Sequence, residues 1–367
     1  MLSTWIVVVL VCLFTAHVLL CEESAQTGDD IELNNATLDD DEEVLVVRGP
    51  VEPSIPVGNA VGPTHAVIGG APVAPHKYRF VVSLRCKDQF HLCSGVLISS
   101  IHVLTTFACV ERLNTTDMIV GVGLHNRNTN NSDHFFKVKL NHVHKNYGGE
   151  LRSYDNDIAL LTLATPITSR PAIKAGIIKL PRTINENYHN DSTAPFRMVG
   201  WGVTRNDIPG YINETPLLLQ GALAKVISAK ECSSRIGEKL AGSKFCIDSG
   251  RTAMCSGDSG GPLFRQRSSG EYEIVGLGSY VFGACQANNG ANVFTKVSHF
   301  LPWIKKALAA SRQALLERQT TNSRINCTNA TTNGTFCRSC SNGVRWSKKC
   351  RSNTNPTGNV TKLFGWV

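Results

Sequence analysis

From Val67 onward the chain breaks into short apolar runs, several of them alternating with polar positions: 80–84 FVVSL, 96–105 VLISSIHVLT, 119–124 IVGVGL, 135–140 FFKVKL, 158–163 IALLTL and 274–280 IVGLGSY. Gly, Asn, Asp and Ser separate them. Runs of this length and period predict an antiparallel all-β domain, a sandwich or a barrel. Residues 298–319 instead place Phe300, Ile304, Ala307, Leu308 and Leu315 near helical spacing, which predicts one amphipathic closing helix. Upstream, residues 4–20 form an apolar run that ends at Cys21 and Glu22-Glu23. That run is shorter than the roughly 20 residues of a spanning helix, so 1–21 reads as a secretory signal. No other stretch is long and apolar enough to cross a bilayer. The mature chain is therefore expected to have no membrane span.

Composition adds organisation. A length of 367 residues is room for about two domains. Apolar residues at 42% against 18% charged exclude a largely disordered chain. The net charge of +8 hides three blocks. Residues 22–66 hold eleven acids against Arg48 alone, and Pro50, Pro53, Pro56 and Pro63 follow one another; this reads as an extended pro-segment. Residues 67–310 are basic and carry the strand pattern. Residues 311–367 form a basic tail with four cysteines. The opposite signs predict that the pro-segment lies against the domain or the tail.

Thirteen cysteines point to an oxidising compartment. Nine N-x-Ser/Thr sequons, at Asn35, Asn114, Asn130, Asn190, Asn213, Asn326, Asn329, Asn333 and Asn359, point to a secreted glycoprotein. In the tail, C-x9-C-x2-C-x9-C fits two disulfides better than zinc in such a setting. No metal and no cofactor is expected. Arg338, Arg345, Lys348, Lys349 and Arg351 surround Trp346, a patch suited to a sulfated glycan or to plain solvation. Nothing resembles a nucleic-acid-binding module, and no nucleic-acid partner is expected.

The chemistry concentrates in 255–263, CSGDSGGPL. A serine nucleophile needs backbone donors around a developing oxyanion, and Gly257, Gly260 and Gly261 permit the tight turn that aims the Gly257 and Ser259 amides. This segment resembles the nucleophile motif of the chymotrypsin/trypsin-like serine peptidases. The resemblance runs over about 67–310. It includes VIGG at 67–70, like the family's mature start, DNDIALL at 155–161, like its aspartate motif, and Gly200-Trp201-Gly202. It implies two six-stranded antiparallel β-barrels with a C-terminal helix. Ser259 then stands at the nucleophile, Asp157 at the triad acid, and Asp258 at the acid that pairs with the Val67 amine after zymogen cleavage. The resemblance further implies bridges Cys93–Cys109, Cys232–Cys246 and Cys255–Cys285. A fourth frequent bridge would need cysteines near Phe196 and Arg265, and both are absent. Cys86 and the four tail cysteines are left as an odd number, which implies a free or intermolecular thiol, or a signal cut that retains Cys21.

Three departures shape the functional expectation. The family's base motif TAAHC reads TTFAC at 105–109, so Ala108 occupies the base position, and His102 reads as a core substitution. In the implied specificity pocket, Ala253 replaces the acid of trypsin-like members. Ser279 matches the serine of the substrate-binding strand. Val281 and Asn292 stand at wall positions that are usually glycine. Any pocket is then narrow and uncharged, resembling elastase-like members. At the activation point Ala66 precedes Val67, leaving a trypsin-like activator nothing to cut. His91 and Ser83 match positions that hold the activation acid in some zymogens, or are ordinary strand polarity. Removing the base from a serine protease costs about 10⁶ in turnover. The expectation is a non-catalytic homologue binding an extracellular protein partner. Two alternatives stay open: a weak or substrate-assisted elastase-like endopeptidase, and a glycan-binding protein acting through its tail.

Overall fold

The computed structural model describes residues 67–332, apart from 88–90, 112, 150–152, 171, 190, 192–193, 204–214, 283–284 and 286–289, together with short strands at 44–45, 335–337 and 350–352. The signal, most of the pro-segment, Asn35, Asn190, Asn213, Asn333, Asn359 and most of the tail patch lie outside the described residues. The chain divides into a unit ending at Ala307 and a second beginning at Leu308.

In the first unit the strands are β1 (Val44–Leu45), β2 (Ala71–Pro72), β3 (Val81–Arg85), β4 (His91–Leu97), β5 (His102–Thr105), β6 (Ile119–Val122), β7 (Phe135–His144) and β8 (Ala159–Leu163). They continue with β9 (Phe196–Gly200), β10 (Gln220–Ala224), β11 (Val226–Ile227), β12 (Lys244–Asp248), β13 (Pro262–Gln266), β14 (Tyr272–Phe282) and β15 (Ala291–Lys296). One helix, α1 (Ala229–Ile236), precedes β12; a longer one, α2 (Leu301–Thr332), begins at the end of this unit.

Six strands in the order β7-β6-β3-β4-β5-β8 close on themselves through a β7–β8 pairing. Their inward positions, among them Val82, Leu97, Val120, Phe136 and Leu161, make one core. The second sheet runs β11-β12-β15-β14-β13-β9-β10-β2 and curls without a closing ladder. It holds a second core around Met198, Phe245, Leu263, Val275 and Phe294. The barrel pair expected from the resemblance is therefore one closed barrel and one curled half-barrel. Phe80 and Phe264 meet edge to face at 5.1 Å, between a residue that leads into β3 and one on β13.

The apolar run 96–105 is two strands rather than one. Ser99 Oγ accepts from the Ile101 and His102 amides, and this local turn competes with the ladder. His102 is only half-buried and bonds Ser99 Oγ at 2.8 Å, so it is not the core substitution that its position suggested. α2 starts at Leu301, with Pro302 in the first turn where a missing N–H costs nothing, and continues past the apolar pattern to Thr332. In the second unit, β16 (Thr335–Cys337) and β17 (Cys350–Ser352) pair antiparallel with Cys337 opposite Cys350.

All three expected bridges are present: Cys93–Cys109, Cys232–Cys246 and Cys255–Cys285. Cys86 is disulfide-bonded as well, so it is not the odd thiol. Where the fourth bridge is missing, Phe196 joins the core against Tyr188. Arg265 sits among Glu186, Asp191 and Glu273, at 2.9 Å from Glu186 and 2.8 Å from Glu273. An ion cluster and an aromatic contact occupy the place of the cross-link.

Candidate active site

The loop between β12 and β13 carries the nucleophile turn, and its backbone explains its glycines. Gly257 has φ +94° and Gly260 φ +72°, the left-handed region where a side chain is strained. A Cβ on Gly260 would also lie 2.2 Å from Thr105 Oγ1 and 2.4 Å from the Ser94 carbonyl. The turn is thus pressed against β4 and β5 of the other barrel, and the Ser94 amide donates to the Ser259 carbonyl at 2.8 Å. Ser259 is half-buried. Its hydroxyl makes no hydrogen bond among the described residues.

Asp157 precedes β8 and is 1% exposed. Its Oδ1 accepts from the Ala108 amide at 2.9 Å and its Oδ2 from Ser279 Oγ at 2.6 Å; the Phe107 amide also bonds it. Thr295 Oγ1 donates to the Asp157 carbonyl at 2.8 Å. This cradle holds a carboxylate in one orientation. What it lacks is an imidazole: no described histidine bonds to Asp157 or Ser259. Burial pushes the Asp157 pKa up to about 6 against the pull of its hydrogen bonds, which are led by that from Ser279. Phe107 does not fill the vacated space. Its ring lies in the barrel core, stacked on Tyr147 at 4.1 Å.

The pocket residues come together, and one side chain ties two of their segments to each other. Val281 and Asn292 are direct partners on β14 and β15. Asn292 is fully buried; its Oδ1 accepts from the Met254 amide at 2.8 Å and its Nδ2 donates to the Cys285 carbonyl at 3.2 Å. One amide therefore spans from the wall beside Ala253 to the wall at Cys285. Met254 Sδ packs against Gly278, where a Cβ would sit only 2.6 Å from the sulfur. Ala253 is fully buried. Ser279 points its hydroxyl at Asp157 rather than into the pocket. The strap made by Asn292 was invisible in sequence, where that residue read only as bulk.

Asp258 lies beneath the turn. Its Oδ1 accepts from the Gly202 amide at 2.8 Å and its Oδ2 from the Cys255 amide at 3.1 Å. Desolvation raises its pKa to about 7, because no charged partner offsets the burial. Val67, 1% exposed, lines the same cavity of about 10 Å³ as Asp258. Val67 holds φ +50°, a strained conformation for a β-branched residue within a continuous chain. Ser83 and His91 do not hold Asp258. They bond each other at 2.9 Å, and His91 Nε2 donates to the Gly257 carbonyl at 3.0 Å. Burial pushes the His91 pKa down to about 3, so the ring is neutral.

Comparison with known proteins agrees with this geometry. A family model described as Trypsin matches residues 67–304. A fibrinolytic enzyme, isozyme C, of Lumbricus rubellus is 30% identical over 250 residues, covering 65% of this chain and 98% of its own length. Chymotrypsin-like elastase family member 1 of Bos taurus is 30% identical over 275 residues, covering 73% of this chain and 97% of its own. With the nucleophile turn, the acid cradle and three bridges assembled on one barrel and one curled sheet, the chain belongs to the trypsin-like serine peptidase family.

Proposed function

We propose that this chain is a secreted, glycosylated serine protease homologue that does not turn over peptide bonds. It acts by binding an extracellular protein partner as a cofactor, decoy or regulator. The observation that carries the reading is the Ala108 amide on Asp157 Oδ1: the acid's cradle is complete, and the residue at the base position has no side chain to transfer a proton. A serine hydroxyl at neutral pH needs that transfer both to attack and to release the leaving amine. The Asn292 strap supports the same reading, since the buried amide and its two hydrogen bonds stand between the segments that would line a pocket. Three bridges fit an oxidising compartment, and no helix among the described residues is long and apolar enough to cross a membrane. Of the described sequons, Asn130 is exposed and Asn114 half-buried.

One observation favours a second reading, weak peptidase activity: the Gly257 and Ser259 amides bond no other described residue and remain available to an oxyanion. Such a hole alone leaves about 10³–10⁴-fold over water. Secreted protein treated with a fluorophosphonate probe and a broad peptide library separates the two. No labelling and no turnover is expected. Turnover that vanishes in Ser259→Ala would establish the peptidase reading instead.

A further inference from the structure

We propose that the outer edge of β7 at Asn141–Lys145 is a strand-docking site, and that its occupant is this chain's own acidic segment, residues 39–47. The pairing is seen directly at two positions: Val44 stands opposite His144 and Leu45 opposite Val143, antiparallel. On its other side Val143 pairs with Ala159 of β8, so this end of β7 carries ladders on both edges. An open edge of this kind is what an added strand completes.

The register extends the contact in both directions. One residue before Val44 is Glu43, which the same register, if continued, would set opposite Lys145; Asp39, Asp40, Asp41 and Glu42 precede it in sequence. Lys145 is half-buried and makes no ion pair among the described residues. His144 packs on Phe300 and Trp303, and Lys305 and Lys306 follow in the same helix with exposed side chains. A strand continued in this register would carry five acids toward a basic corner. In the other direction a continued register would set Val46 and Val47 opposite His142 and Asn141. Asn141 is fully buried with neither amide atom bonded, and His142 Nε2 is buried and unbonded.

Docking at this edge grips the element that feeds the site. β7 runs on to Tyr147, which stacks on Phe107 beside Ala108, and the Gly148 amide bonds the Asp155 carbonyl two residues before Asp157. Residues 48–66 form a tether of up to about 60 Å when extended, so a cut at 66–67 would leave the segment seated.

Hydrogen exchange on the full secreted chain tests this. Peptides covering 43–48 and 141–146 are expected to be protected together. Leu45→Pro, which removes a ladder donor, is expected to speed exchange of both by at least about tenfold. Replacing Asp39–Glu43 by Asn and Gln, or Lys145→Glu, is expected to speed both at low salt, with the difference shrinking at 1 M salt. Equal exchange of 141–146 in the wild type and Leu45→Pro would overturn the proposal, as would an unprotected 43–48 peptide at low salt.

Discussion

Ala108 and Asp157 together define a half-built proton relay. Beside a histidine base such a carboxylate accepts from the ring and stabilises the imidazolium that forms in the reaction; here its hydrogen-bond donors are a hydroxyl and two backbone amides. The result is a pKa near 6, above the ordinary aspartate value of 3.8. A carboxyl that holds its proton more tightly when folded contributes stability that is fully present below about pH 4 and is lost as the pH rises through 6. Two pKa units correspond to about 3 kcal/mol. Asp258, raised to about 7, acts in the same direction over a wider window. Chemical denaturation between pH 4 and 7.5 should therefore show falling stability, and Asp157→Asn should remove part of that slope. Ala108→His should flatten it too, because an imidazolium favours the charged carboxylate.

Turnover is a separate question at the same scale. Ala108→His alone is expected to stay inactive, because the pocket is strapped. Ala108→His with Asn292→Gly is the combination expected to label with a fluorophosphonate and cleave small-residue substrates. Activity in the single variant would show that the strap does not exclude substrate. The missing base was legible from one letter in TTFAC. The strap was not, because its meaning depends on two backbone partners, the Cys285 carbonyl and the Met254 amide 38 residues away, that only the fold brings together.

Among the elements, the strands that sequence pattern recovered are those with uninterrupted apolar faces, such as β3, β6 and β8. β9 and β12 escaped it. β12 begins with Lys244, whose ammonium is 4% exposed because it bonds Asp155 at 2.7 Å and the Ser153 carbonyl at 2.5 Å. A charge hidden in this way breaks the alternation that pattern reading relies on. The Arg265 cluster shows the same limit: absent cysteines were readable, but their replacement by an arginine among three acids was not. Arg265 is one of two arginines on the buried Glu273, Arg267 being the other, and breaking a buried ion pair costs up to about 3–5 kcal/mol. Arg265→Met should lower the thermal midpoint strongly, and Arg265→Met with Glu273→Gln should recover part of the loss. An unchanged midpoint in the single variant would mean that the cluster is only a surface network.

For the whole molecule, the nucleophile turn is also the seam between the two sheets. The Ser94–Ser259 bond and the contact of Gly260 with Thr105 tie the β12–β13 loop to β4 and β5. The glycines of the turn therefore answer to packing as well as to chemistry, whatever stands at position 108. Gly260→Ala should fail to be secreted or should melt far below the wild type, since a side chain would be strained at φ +72° and would overlap backbone. Ser259→Ala should melt like the wild type. Equal tolerance of both changes would separate the turn from the seam.

The strained Val67 leads to a different kind of role. A residue at a chain start has no φ, so severing the 66–67 bond abolishes the conformational cost that Val67 bears and frees an ammonium beside Asp258. The uncut form is then spring-loaded, and rejoining the ends would mean restoring the strain. Clean cleavage by an elastase-like enzyme should raise the melting temperature at pH 7, and the change should be irreversible: the cut would be stored as a molecular memory in the fold itself.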